Sequence, residues 1–227
     1  MSMFEINETV DRTDPSIIKA LAGIPVANIS DAMANLHTMG SGLKALVPGD
    51  KICGPAITVS NLAGDIWATL KTMATAQPGD VMVIDSMGAP DTAQLGEIIV
   101  SEAKRRGIAG MVIDGLIRDA KGIRDMGFPI FSRGSVARVA GASKLGEVNV
   151  PVSCGGIVVL PGDVIAGDED GLVVVPRRKA EVVLQAVLAT EAYEEDLIAK
   201  VAGGKNQVDI TNWDEKNQEM IEKLSKK

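Results

Sequence analysis

One histidine, two cysteines and very few aromatic side chains limit what this chain can be. His37 stands alone, which excludes an HExxH centre or a three-histidine zinc site, since both need several imidazoles. A Ser-His-Asp triad would have to be built on that one residue. It follows an apparent helix, NISDAMANL, at a polar end, a place that suits a surface or supporting role. Cys53 and Cys154 each precede a glycine and form neither a CxxC pair nor a zinc-ligand spacing. They are expected to be small buried thiols in a reducing compartment. Aromatics amount to 3%, so the core must come from Val, Ile, Leu, Ala and Met within a hydrophobic fraction of 46%.

Long apolar runs are also missing, so no membrane-spanning stretch is expected. The N-terminal MSMFEINETVDRTD is acidic and polar and lacks the pattern of a signal peptide. A cytoplasmic protein is the expectation. Positive charge is in deficit: the formal net charge is −7. Nucleic-acid binding draws most of its affinity from a basic face, and none is evident. The short clusters Lys104-Arg105-Arg106 and Arg177-Arg178-Lys179 fall at element ends, where basic residues suit a solvated helix terminus.

Glycine is what the chain has in quantity, 24 residues, which implies many turns rather than a helical bundle. A length of 227 residues allows one large domain or one domain with an appendage. Pro-Gly-Asp recurs at 48–50, 78–80 and 161–163, each a turn signal. Val- and Ile-rich runs predict strands at 54–60, 81–86, 110–114, 128–134, 148–154 and 156–160, with a further stretch over 164–176. Asp14-Pro15 predicts a capped helix start, and Ser30 the start of a second short helix.

Between the runs VMVID and GMVID, the residues Leu95, Ile98, Ile99 and Ala103 recur at helical spacing, and Gly107 suits a helix end. That unit is strand–helix–strand and implies two parallel strands with a right-handed crossover. A helix over about 178–202 follows the last strand and stops at Gly203-Gly204. The tail TNWDEKNQEMIEKLSKK suggests an amphipathic helix with Trp213, Met220, Ile221 and Leu224 on its apolar side. Gly40-Ser41-Gly42-Leu43-Lys44-Ala45 loosely fits G-x-G-x-x-A. A helix precedes it and a Pro-Gly turn follows, the wrong setting for a dinucleotide site, so it is expected to be a connecting loop.

In open α/β sheets, ligands bind at the carboxyl ends of the strands. Here those ends carry Asp85-Ser86 and Asp114-Gly115-Leu116-Ile117-Arg118-Asp119. The intervening helix begins near Gln94-Leu95-Gly96-Glu97. Its first N–H groups have no intrahelical partner and can hold an anion, and Gly96 would let a ligand approach the backbone. Arg118 offers a planar fork matched to a carboxylate. Asp119 and Glu97 offer hard oxygens, which, with water and without histidine, suit Mg²⁺ or Mn²⁺. A substrate with a carboxylate and an adjacent carbonyl oxygen would match. An Arg-Asp dipeptide on an ordinary surface and an Asp-Gly turn are equally consistent with composition and spacing.

The run LGEIIVSEAKRRGIAGMVIDGLIRDAKGIRDMGFPIFSRG, with ANISDAM (27–33), GPAITV (54–59) and GDEDGLVVVP (167–176), resembles the RraA-like family. That family includes class II pyruvate aldolases acting on 4-hydroxy-4-methyl-2-oxoglutarate and 4-carboxy-4-hydroxy-2-oxoadipate. The resemblance covers most of the chain and implies an α/β fold. Its core is a swivelling β/β/α-type domain in α-β-β-α layers over 1–176. A C-terminal helical extension, 177–227, would pack on its own or an adjacent subunit. It implies a homotrimer or homohexamer with the active site at a subunit boundary.

The resemblance also gives the residues separate roles. Asp119 would hold a divalent metal, Mg²⁺ or Mn²⁺, and Glu97 would reach it through water. Arg118 would bind the pyruvyl group of a 2-oxo acid. The backbone around Leu95, Gly96, Glu97 and Ile98 would cradle its carboxylate. Glu194 or Glu195 would come from an adjacent subunit. Oxaloacetate decarboxylation would accompany aldol cleavage. The same family contains a regulator of ribonuclease activity that acts by protein binding. That branch is shorter and has Gln at the position of Asp119. A methyltransferase finds no support, because no nucleotide-type glycine loop sits on a βα turn. A Schiff-base aldolase would need a lysine in an apolar pocket. Lys71 and Lys104 are the nearest, and both look like solvent-facing helix residues.

Overall fold

A computed structural model of the chain describes residues 4–218 and 222–223. Local sequence explains most of its helix ends. Helix α1 (Pro15–Leu21) has Asp14 as its N-cap, and the Asp14 carboxylate accepts the Ser16 N–H at 2.8 Å. Helix α2 (Val26–Ala32) departs from expectation. It begins behind Pro25, and Ser30 lies buried inside it rather than capping it. The cap comes from far along the chain: Asp168 Oδ2 accepts the Val26 N–H at 3.0 Å.

The strands are β1 (Lys44–Ala45), β2 (Ile52–Ser60), β3 (Val81–Asp85), β4 (Gly110–Ile117), β5 (Ile130–Ser135), β6 (Glu147–Val148), β7 (Val152–Cys154), β8 (Ile157–Val159), β9 (Val164–Asp168) and β10 (Gly171–Val175). The sheet runs β1-β5-β4-β3-β2-β9-β10, with β6 added on β2, while β7 and β8 form a separate hairpin. Strands β2 to β5 are mutually parallel, and β1, β9 and β10 are antiparallel to their neighbours. The expected parallel strand–helix–strand unit is therefore β3, α4 (Glu97–Arg106), β4. Helix α4 ends with Lys104, Arg105 and Arg106 against its dipole, and Gly107 turns left-handed at φ 75°.

Side chains alternate across β3, as a pleated strand requires. Met82 and Ile84 join one core cluster with Met111, Ile113, Val100 and Leu95 beneath the helices. Val81 and Val83 join a second, with Val112, Phe131, Cys154, Ile165 and Val174 between the parallel strands and the β7–β10 region. Helices α3 (Trp67–Met73), α4 and α5 (Ala120–Met126) supply the outer layer on the first side. Helices α1 and α2 pack against β2, β9 and β10. The result is helix, sheet, sheet, helix, with the sheet curled nearly into a barrel. Burial on both faces explains why β2, β3 and β9 are almost uninterrupted apolar runs.

The three Pro-Gly-Asp segments are turns of one kind. Gly49, Gly79 and Gly162 all have φ 88°, and each turn is closed from the aspartate N–H to the residue before proline. The run 148–154 is not one strand. Asn149 is left-handed at φ 52°, and Pro151 offers no donor, so β6 pairs with β2 and β7 pairs with β8. The segment 40–45 is mostly a loop, although Lys44 and Ala45 pair with β5.

Contacts divide the chain into two units, 1–184 and 185–227. Helix α6 is Ala180–Ala202, and its residues from 185 onward belong to the second unit. In the second unit, α7 (Gln207–Thr211) starts at Asn206, whose side chain accepts the Val208 N–H. Left-handed Asn212, at φ 50°, then separates it from the single turn α8 (Trp213–Lys216). Of the expected tail helix, the single turn α8 forms directly after Asn212 and ends at Asn217, and Met220, Ile221 and Leu224 lie outside the described residues. Among the described residues, no helix is long and apolar enough to cross a membrane.

Candidate active site

The end of β4 is where the chain gathers its chemistry. Residues 93–95 run beside that end like a short extra strand. Ala93 bridges Leu116, the Gln94 N–H donates to Leu116 O at 2.8 Å, and the Arg118 N–H donates to Leu95 O at 3.0 Å. Buried Asn61 donates to Gln94 Oε1 at 3.1 Å and fixes the segment from behind. This pairing delivers the first turn of α4 to the Arg118–Asp119 corner.

Gly96, the N-cap of α4, makes the approach sterically feasible. A β-carbon there would lie 2.4 Å from Asp119 Oδ2 and 3.1 Å from both Arg118 Cγ and Nε. Asp119 itself is left-handed, with φ 57° and ψ 33°, and immediately precedes α5. Its Oδ2 accepts the Glu97 N–H at 3.2 Å and lies 3.4 Å from Arg118 Nε. The Arg118 and Asp119 side chains are 36% and 40% exposed, so both are open to a ligand.

Each expected site residue has a distinct place in this geometry. Glu97 contributes its N–H to Asp119, and its carboxylate lies against Gly122 of α5. The Leu95 side chain is buried, so only its backbone faces the corner. Ile98 points outward and is 82% exposed, and its N–H lies in the first turn of α4. Glu194 and Glu195 lie on α6 in the second unit, half-buried and exposed respectively.

Of the two aspartates expected at strand ends, Asp85 does end β3, whereas Asp114 lies within β4, which continues to Ile117. Asp114 accepts from Arg133 Nε and from the Gly155 N–H at 2.7 Å, and Asp85 accepts the Met87 N–H at 2.7 Å. A cavity of about 460 Å³, lined by Asp85, Ala89, Asp114, Leu116, Arg133 and Ser153, opens just upstream of Arg118. Sequence reasoning placed Arg133 only within a strand. The β4–β5 pairing is what sets it opposite Asp114, a juxtaposition with no local signal.

Other nucleophiles are poorly disposed. Burial pushes the Cys53 thiol up to about 12 and raises that of Cys154 as well, helped by Asp114 and Asp85. Neither is a thiolate at neutral pH. Lys71 lies 4.0 Å from Glu8, and exposed Lys104 donates to Met126 O. The backbone carbonyl of His37 accepts the Val174 N–H at 3.0 Å.

Among the described residues, no three His, Cys, Asp or Glu side chains cluster so as to enclose a metal. The corner instead offers Asp119 with Glu97 nearby, both hard carboxylates. Such a set fits Mg²⁺ or Mn²⁺, which bind through one or two carboxylates and keep several waters. It does not fit zinc, which takes three or four protein ligands.

The fold thus brings a cation, a partly exposed carboxylate and the first turn of a helix together at one strand end. Residues 26–174 match the RraA-like family, described as Aldolase/RraA, and the chain belongs to that family. It is 44% identical over 172 residues to a Halalkalibacterium halodurans protein named "Putative 4-hydroxy-4-methyl-2-oxoglutarate aldolase", covering 76% of this chain and 82% of that one. Among solved structures it is similar to Streptomyces coelicolor RraAS2, described as an unusual member of the RNase ES inhibitor RraA family. The TM-score is 0.73 at 34% identity, over 82% of this chain and 98% of that one. It is also similar to the RNA-processing inhibitor RraA of Thermus thermophilis, with TM-score 0.62 at 26% identity, over 67% and 93%.

Proposed function

We propose that this protein is a divalent-metal-dependent pyruvate aldolase that cleaves a 4-hydroxy-2-oxo acid, such as 4-hydroxy-4-methyl-2-oxoglutarate, to pyruvate and a second oxo acid. The observation that carries the reading is Asp119, half-exposed and left-handed, gathered with Arg118 at the start of α4, where its carboxylate accepts the Glu97 N–H. The name borne by the H. halodurans relative supports the same chemistry.

The N–H groups of the first α4 turn bind the substrate carboxylate, and Gly96 keeps that approach clear. Arg118 binds the pyruvyl oxygens. Asp119 would hold Mg²⁺ or Mn²⁺, and Glu97 would assist through water. When bound, the ion supplies Lewis-acid polarisation of the keto oxygen. A water held by the acidic residues takes the proton of the C4 hydroxyl. The C3–C4 bond breaks, its electron pair moves to the keto oxygen, and the C4 fragment leaves as an oxo acid. Arg118 stabilises the resulting enolate, a form of electrostatic catalysis that is often the largest single contribution. Protonation of C3 by water yields pyruvate. Decarboxylation of oxaloacetate passes through the same enolate and is expected as a side activity. The reading includes a homotrimer or homohexamer in which Glu194 or Glu195 of an adjacent subunit completes the site.

A second reading, a regulator of ribonuclease activity acting by protein binding, draws support from the descriptions of the similar structures. It assigns no task to Asp119. A panel of 4-hydroxy-2-oxo acids assayed with and without Mg²⁺ or Mn²⁺ separates the two. Metal-dependent pyruvate release is expected. Turnover that survives complete metal removal, with borohydride and pyruvate labelling a lysine, would instead establish a Schiff-base enzyme.

A further inference from the structure

Gly122 is the third residue of α5, where alanine is the better helix former. Its backbone is not left-handed, so the chain path does not require glycine there. What occupies the missing side chain's space is Glu97. A β-carbon at 122 would lie 2.3 Å from Glu97 Oε2, 2.6 Å from Cδ and 3.1 Å from Oε1. Glu97 is also the residue whose N–H binds Asp119 Oδ2. Residue 97 thus meets this stretch of chain twice: its N–H binds the Asp119 carboxylate just before α5, and its own carboxylate lies over Gly122, three residues further along the chain.

We infer that Gly122 is a positioning residue: its bare α-carbon is the seat that holds the Glu97 carboxylate within water-bridging reach of Asp119. The inference rests on the metal-dependent reading above and deepens it. The atoms that crowd residue 122 are the free end of a flexible side chain. A methyl group there displaces the carboxylate at little cost to the fold and improves the helix. Stability and function should then move in opposite directions, which a purely structural glycine would not produce.

The test compares wild type, Gly122→Ala, Glu97→Ala and the double variant. It reads thermal midpoint, Mn²⁺ affinity from the free-ion paramagnetic resonance signal, and kcat/KM for pyruvate release. Gly122→Ala should melt at or above the wild-type temperature. Its Mn²⁺ affinity should fall about ten- to hundredfold, the range seen when a group supporting a metal ligand is lost. Turnover should fall with it, and the double variant should be no worse than Glu97→Ala. An active wild type with Gly122→Ala equal to it in Mn²⁺ affinity and turnover, or losses that add in the double variant, overturns the inference alone. A wild type that neither binds Mn²⁺ nor releases pyruvate overturns the metal-dependent reading, and the inference with it.

Discussion

Gly96 faces Asp119 across the start of α4 at a distance that leaves no room for a side chain, 2.4 Å from a would-be β-carbon to Asp119 Oδ2. Gly96→Ala must therefore push aside Asp119, Arg118 or the helix start. Displacements of about 1 Å can cost roughly a hundredfold in rate. The variant is expected to lose ten- to hundredfold in kcat/KM for pyruvate release. Circular dichroism should show the fold intact.

Arg118 and Asp119 pair at 3.4 Å with both side chains partly exposed. Such a pair contributes about 0–1 kcal/mol to stability. Arg118→Ala should accordingly leave the thermal midpoint within a few degrees of wild type. Turnover should fall by about a hundred- to a thousandfold, the loss typical of one oxyanion-stabilising donor. Arg118→Lys restores charge without the planar fork and should recover only part. A collapse in melting temperature would reassign the pair to structure.

The Arg12–Asp80 pair is a structural counterpart. Arg12 Nε and Nη2 donate to Asp80 Oδ1 and Oδ2 at 2.7 and 2.8 Å, and Asp80 is fully buried. Arg12→Ala strands a buried carboxylate and should cost about 3–5 kcal/mol in denaturant unfolding. Adding Asp80→Asn to that variant should recover part of the loss. If Arg12→Ala unfolds like wild type, the pair holds nothing together.

Asp65 gives the acid limb a defined contributor. Burial raises its pKa, but the N–H groups of Trp67, Lys144 and Ser143, with the Lys144 charge, outweigh that and hold it below the ordinary carboxylate value. A depressed folded-state pKa adds stability in full above the unfolded value, about 3.9, and that contribution is lost as pH falls through the folded value. Asp65→Asn should therefore lower the melting temperature at pH 7 and flatten its dependence on pH below about 4. An unchanged acid limb in the variant would remove Asp65 from this role.

What the sequence made legible were features carried by short segments. Asp14 caps α1, Gly107 ends α4, and the parallel β3–α4–β4 unit follows from apolar periodicity. The same reasoning placed Gly96 and Glu97 at a helix start and Arg118-Asp119 at a strand end, though nothing local joined them. Long-range partners stayed hidden. Asp168 caps α2 from 142 residues away and replaces the expected Ser30 cap. Arg133 meets Asp114 only because β4 and β5 pair. Gly122 looks like a poor helix residue until Glu97 is seen in its space. Asn149 adopts a left-handed backbone that breaks a strand that periodicity alone would have continued.

The central claim is that Asp119 is the residue on which turnover depends, and oxaloacetate tests it with the least assumption about substrate. Pyruvate release should be measured with Mg²⁺ or Mn²⁺ for wild type and Asp119→Ala, both shown to be folded. A metal-dependent wild-type rate that falls at least a hundredfold in the variant is the predicted result. Equal rates in the two proteins would contradict the account.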